Sequence, residues 1–185
     1  MMSKTGFGRD AGEFLKSLAD NEFSENGRRE SGAHIRSIIK NGESATLSVT
    51  VSNSSGSESL EFVLLVDFCE KLELRAGEIW IETLSEIEYY SEVTKAYFSA
   101  CSSFAYTPSS IRGLAKKLVI KGYARDICDA ALEIVRLRGF IDESEIAVRR
   151  TQIFLEKRWG RSRIFAKLRE EGVAGEAFDS GKNFL

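Results

Sequence analysis

The chain repeats itself at an interval of 50 residues. Laid on itself at that offset, Leu114 falls on Ile164, Lys117 on Lys167, Leu118 on Leu168, Gly122 on Gly172 and Tyr123 on Val173. Apolar residues three and four apart make one helix stripe, and a glycine just past the stripe takes the left-handed conformation that ends a helix. The coincidence marks a helical unit used twice. Each helix is only about three turns long and unstable alone in water, so the units must bury their stripes on neighbouring helices.

Breaks at regular places delimit these helices. Thr107-Pro108-Ser109-Ser110 reads as a helix start, with Pro108 in the first turn and a hydroxyl capping the free amides. Ile111, Leu114, Ala115 and Leu118 follow at helical spacing until Gly122. Asp126 opens the next helix, whose apolar face is predicted as Ile127, Ala130, Ala131, Ile134 and Leu137, ending at Gly139. Asp142 with Glu145 three residues later resembles a capping box. Ile164, Phe165 and Leu168 are expected in the core.

Upstream the period changes to two. Leu47, Val49 and Val51 alternate with Thr46, Ser48 and Thr50, the pattern of a strand with one buried face. "HIRSIIK" and "LEFVLLV" flank it, and Asn41-Gly42 is a hairpin signal. "DFCEKLELRAGEIW" reads as a short helix ending near Ala76-Gly77, and "IETLSEIEYYSEVTKAYFSACSSFAY" as helical. The first 30 residues mix Gly, Asn and charge and are expected to be disordered. The predicted fold is therefore mainly α: a repeated helical unit behind a small antiparallel β region. Its parts are a disordered segment (1–30), a β-rich domain (31–90), a first repeat (91–139) and a second, truncated repeat (140–185).

The formal net charge of -2 hides an asymmetry. Residues 1–106 hold 10 Lys/Arg against 17 Asp/Glu, whereas 107–173 hold 15 against 9. Between 149 and 169 eight basic residues face only Glu156. Such a split directs one half toward an acidic partner. The three cysteines lie far apart, and no apolar run is long enough for a signal peptide or membrane span, so a reduced, soluble, cytoplasmic protein is expected. The single His34 sits in a predicted strand and is assigned a structural role. No nucleophile–base pair, phosphate-binding glycine loop or metal motif stands out, which points to a binding protein without catalysis, cofactor or metal.

"GFIDESEIA" followed by "RWGRSRIFAKLREEGV" resembles the RecX family of bacterial RecA regulators, with its repeats of the form G-[YF]-[IL]-D-D, G-Y-G-P-x-R-I and L-x-x-K-G-[IV]. Upstream, "SSIRGLAKKLVIKGY" is similar to the family's S-x-x-E-L-x-x-x-L-x-x-K-G-Y. The resemblance covers roughly residues 92–178, and "LELRAGE" looks like part of the small N-terminal region of Gram-positive members. This chain departs from the pattern at Gly113, where the family has a capping glutamate, at Arg150, where an aromatic is common, and at Arg161, where it has proline.

The resemblance implies a fold of tandem three-helix, helix-turn-helix-like repeats in a curved array that lies in the groove of the RecA filament on DNA and restrains RecA's recombinase and coprotease activities. The expected partner is the RecA nucleoprotein filament, with direct DNA contact as an extension, no membrane, and the chain itself a monomer. The residues assigned to that contact are Arg149, Lys157, Arg158, Trp159, Arg161, Arg163, Lys167 and Arg169. The alternative is a sequence-tolerant DNA-binding helical module acting without RecA, in which the helix beginning at Arg161 meets the duplex backbone.

Overall fold

The computed structural model describes residues 32–53 and 56–184; the segment expected to be disordered lies outside them. The chain divides between Ser91 and Glu92 into two compact units. Among the described residues there are seven helices and one four-stranded antiparallel sheet, so the fold is mainly α with a β region ahead of the helices.

The first unit is the sheet and its cover. Strands β1 (Gly32–Asn41), β2 (Ser44–Asn53) and β3 (Gly56–Leu65) form a meander, and a three-residue strand β4 (Gly77–Ile79) adds to the free edge of β1, giving the order β3-β2-β1-β4. The β1–β2 turn falls at Gly42, whose φ of 63° suits a tight hairpin. Along β2 the alternation works as expected: Ala45, Leu47, Val49 and Val51 are buried. A register shift between Ile35 and Ser37 breaks the alternation in β1 and leaves Ile39 exposed. Helix α1 (Val66–Lys71) brings Cys69 into the same core as Leu60, Phe62 and Leu64. It stops at Leu72, earlier than the expected Ala76-Gly77, because Glu73 turns left-handed at φ 49° and frees the chain to form β4.

Helix α2 (Ile81–Tyr106) is unbroken for 26 residues. Its start contributes Leu84 and Ile87 to the core of the sheet unit. Its later part buries Val93, Ala96, Tyr97 and Ala100 in the helical unit.

The second unit continues with α3 (Ile111–Ile120), α4 (Arg125–Leu137), α5 (Glu143–Glu156), α6 (Arg161–Glu170) and α7 (Gly175–Asn183). The repeat holds at atomic detail. Helices α3 and α6 start and stop at the same 50-residue offset, as do the ends of α2 and α5 and the starts of α4 and α7. Both middle helices end in the same two bonds: Gly122 and Tyr123 donate to Val119 and Leu118, and Gly172 and Val173 donate to Arg169 and Leu168. Leu114, Leu118, Ile164 and Leu168 are fully buried.

Three local expectations change. Pro108 precedes the cap instead of lying in the first turn: Ser110 is the N-cap of α3, its hydroxyl accepting from Gly113 N–H. The buried face of α4 is Ile127, Cys128, Ala131, Leu132 and Val135, so Ala130 and Ile134 are half-buried and Leu137 is 76% exposed. Phe165 is half-buried, tilted against Phe178 at 5.7 Å.

The Asp142 cap is as expected: its carboxylate accepts from the amides of Ser144 (2.8 Å) and Glu145 (3.0 Å). Asp142→Ala is expected to cost about 1 kcal/mol in urea unfolding, the usual effect of removing an N-cap. The cysteines give a second test. Burial pushes the thiols of Cys69 and Cys128 up, whereas Cys101 is only half-buried. Iodoacetamide at pH 8 is expected to label Cys101 first, because a raised pKa and burial both deprive the other two of reactive thiolate; equal labelling would contradict this burial pattern.

Candidate binding surface

The predicted contact residues lie on the second half of the helical unit, and the turn between α5 and α6 gathers five of the eight, four basic residues and Trp159. Helix α5 ends at Glu156 with Lys157 as its C-cap; Arg158 then turns left-handed at φ 57°, and its amide donates to the carbonyl of Leu155. This is a position that usually takes glycine. Trp159 N–H closes back on Phe154, Gly160 caps α6 without a side-chain oxygen, and Arg161 and Arg163 occupy its first turn. Lys157, Arg158, Arg161 and Arg163 are all exposed.

Trp159 is committed to packing. Phe154 stacks parallel to it at 4.8 Å, and the Arg163 guanidinium lies over its ring at 4.0 Å. The other three residues lie apart from this turn. Arg149 is exposed on α5, about 12 Å along that helix from Lys157. Lys167 pairs with Glu170 at 3.0 Å. Arg169, at the far end of α6, covers the Phe178 ring at 4.8 Å. The geometry thus separates a compact basic end, residues 157–163, from three dispersed cations.

The sequence reading missed a polar joint where the two repeated halves of this unit meet. The Ser110 hydroxyl donates to the carbonyl of Glu171, and the Ile111 amide donates to the Glu143 carboxylate at 2.8 Å. Arg150 donates to the carbonyl of Pro108 at 3.1 Å and pairs with the Glu171 carboxylate at 3.5 Å. A Cβ on Gly172 would come within 2.7 Å of Arg112 Cβ, so the turn after α6 sits directly on the start of α3. Two departures from the family pattern meet here: Arg150 holds the joint, and the Ile111 amide at the start of α3 takes a carboxylate from Glu143 where Gly113 brings none.

A pocket of about 190 Å³ opens at this joint, with Lys116, Lys117, Arg150, Glu170 and Glu171 in its lining. Lys117 donates to the Thr107 carbonyl and the Ser109 hydroxyl, both at 3.1 Å. Burial, then the nearby Arg150 and Lys121, hold its pKa below the ordinary lysine value. Arg150 is therefore engaged in the joint itself, and Lys117 in the segment that leads into α3. Among the described residues no group of His, Cys, Asp and Glu could hold a metal ion, and no helix is long and apolar enough to cross a membrane.

No family model and no curated protein matches the chain. Among solved structures, a crystal structure of regulatory protein RecX is similar with a TM-score of 0.65 at 18% identity, over 83% of this chain and 74% of that one. The chain has a RecX-like fold, the fold that its motifs imply.

Proposed function

We propose that this chain binds the RecA nucleoprotein filament and restrains its recombinase and coprotease activities, as a regulator without catalysis of its own. The likeness to a regulatory protein RecX across most of the chain carries the reading. The basic end at 157–163 supports it, because a filament on DNA presents an acidic, repeating surface. Binding through these cations is salt-sensitive, since ions released from phosphates and carboxylates drive it.

The test is the single-stranded-DNA-dependent ATPase of RecA, titrated with this protein at low and moderate salt. Suppression well below one molecule per RecA, weaker at the higher salt, is the expected result. No suppression together with no co-sedimentation on the filament would overturn the reading. The second reading, a DNA-binding module acting without RecA, draws on one observation: α6 begins with Arg161 and Arg163, and a helix start with basic residues is suited to a phosphate backbone. Equal affinity for bare duplex and RecA-coated DNA would favour it.

A further inference from the structure

We infer that the basic end of the second repeated half, residues 157–163, is a docking face for an acidic protein segment, built to the same plan as the joint described above. The inference deepens the proposed reading, on which it rests for the identity of the filament as partner.

The 50-residue repeat supplies the template. Residues 157–163 are the counterparts of 107–113. In the first copy this face is occupied: Ser110 is 2% exposed, and the start of α3 receives the Glu143 carboxylate on Ile111 N–H and the Glu171 carbonyl on the Ser110 hydroxyl. In the second copy the corresponding Gly160 and Arg161 are exposed. Gly160 brings no hydroxyl, so the Arg163 amide, whose counterpart at Gly113 is served by the Ser110 cap, folds back on the Gly160 carbonyl at 3.0 Å, and the Arg161 amide is the counterpart of the one that Glu143 serves in α3.

Charge then selects the occupant. The first face carries one cation, Arg112, and its occupant brings one carboxylate to a helix amide. The second carries Lys157, Arg158, Arg161 and Arg163, so an occupant of the same form brings several carboxylates. The equivalent joint surface of a second copy does not fit. The surface that fills the first face is made by Glu143, Arg150 and Glu171; 50 residues earlier the same positions are Val93, Ala100 and Lys121, without a carboxylate. Single-stranded nucleic acid fits less well than protein, because base binding uses free aromatic faces and Trp159 is engaged by Phe154 and Arg163.

The experiment uses the full chain with RecA filaments on single-stranded DNA and a zero-length carbodiimide, which joins lysine amines to carboxylates. Lys157 is the one lysine of the face. The expected result is a Lys157 peptide coupled to an Asp or Glu of RecA, and a loss of filament affinity of at least about tenfold in K157E/R161E, with affinity for bare DNA unchanged. Co-sedimentation without Lys157 coupling and with the double variant binding normally would overturn the docking face while leaving the filament reading intact. Equal loss on bare DNA would assign the face to phosphates instead. If the wild-type chain does not sediment with filaments at all, the filament reading fails. The face is then judged by amide NMR shifts with hexaglutamate and with a thymidine hexanucleotide as probes. Selective movement of the Arg161–Arg163 amides by the glutamate peptide upholds it, and any other pattern overturns it.

Discussion

A methyl group added at Gly172 is expected to cost about 3 kcal/mol of stability, whereas the same change at Gly122 costs about 1 kcal/mol. The two glycines are repeat counterparts with nearly the same backbone, φ 88° and 95°, and end their helices with the same bonds. Any L-residue there bears the left-handed penalty, which accounts for the common part. The surroundings differ. Nothing lies within 4 Å of a Cβ on Gly122, but a Cβ on Gly172 meets Arg112 Cβ at 2.7 Å and Cδ at 2.9 Å. A side-chain end can swing away; Arg112 Cβ is fixed to the backbone of α3, so the joint itself has to open. Urea unfolding of G122A and G172A measures the difference directly. Arg112→Ala keeps the offending Cβ and is expected not to rescue G172A. Equal losses in the two variants would show that the joint yields freely.

Those two glycines also mark the boundary of what the sequence discloses. The Asp142 cap, the Leu114–Leu118 stripe and the hairpin at Asn41-Gly42 follow from local rules, each satisfied by residues within one turn of one another, and the repeat follows from meeting the same local signals twice, 50 residues apart. Strand β4 was hidden because three residues are too few to show alternation, and its pairing with β1 is set by the sheet edge. The left-handed turns at Glu73 and Arg158 were hidden because neither residue favours that conformation; tertiary packing imposes it. The register of α2 was unreadable because its two ends bury different sets of residues in two cores, so no single stripe runs its length. The joint is illegible for a related reason. Arg150 stands out only as a departure from the family pattern, because its partners, Pro108 and Glu171, lie far from it in sequence. Of the predicted site, clustering at 157–163 was legible as a basic run around a Trp-Gly corner. The pairing of Lys167 with Glu170, and the covers of Arg163 on Trp159 and Arg169 on Phe178, needed the fold.

Reversing Arg158, Arg163 and Lys167 to glutamate is expected to lower filament affinity by roughly 100-fold at low salt, with the gap narrowing as salt rises. The fold survives this change. Arg158 and Arg163 are exposed, and losing the Arg163–Trp159 contact costs about 1 kcal/mol at such a site. Lys167→Glu sets a second carboxylate three residues from Glu170 in place of an ion pair, a penalty of a few tenths of a kcal/mol. The total is about 1–2 kcal/mol, small enough for circular dichroism to show a native helix content while sedimentation shows the loss of binding. The informative control is the pair R149E and R169E. It also reverses basic residues of the run, but at positions about 12 Å (Arg149 from Lys157) and about 9 Å (Arg169 from Arg163) along their helices from the turn. If residues 157–163 form the contact, this pair lowers affinity less than about tenfold, because charges more than a Debye length away are largely screened at moderate salt. Two variants that lose affinity only in proportion to the charge they reverse would instead mean that the filament senses net charge across the unit. The basic turn would then have no special place in binding.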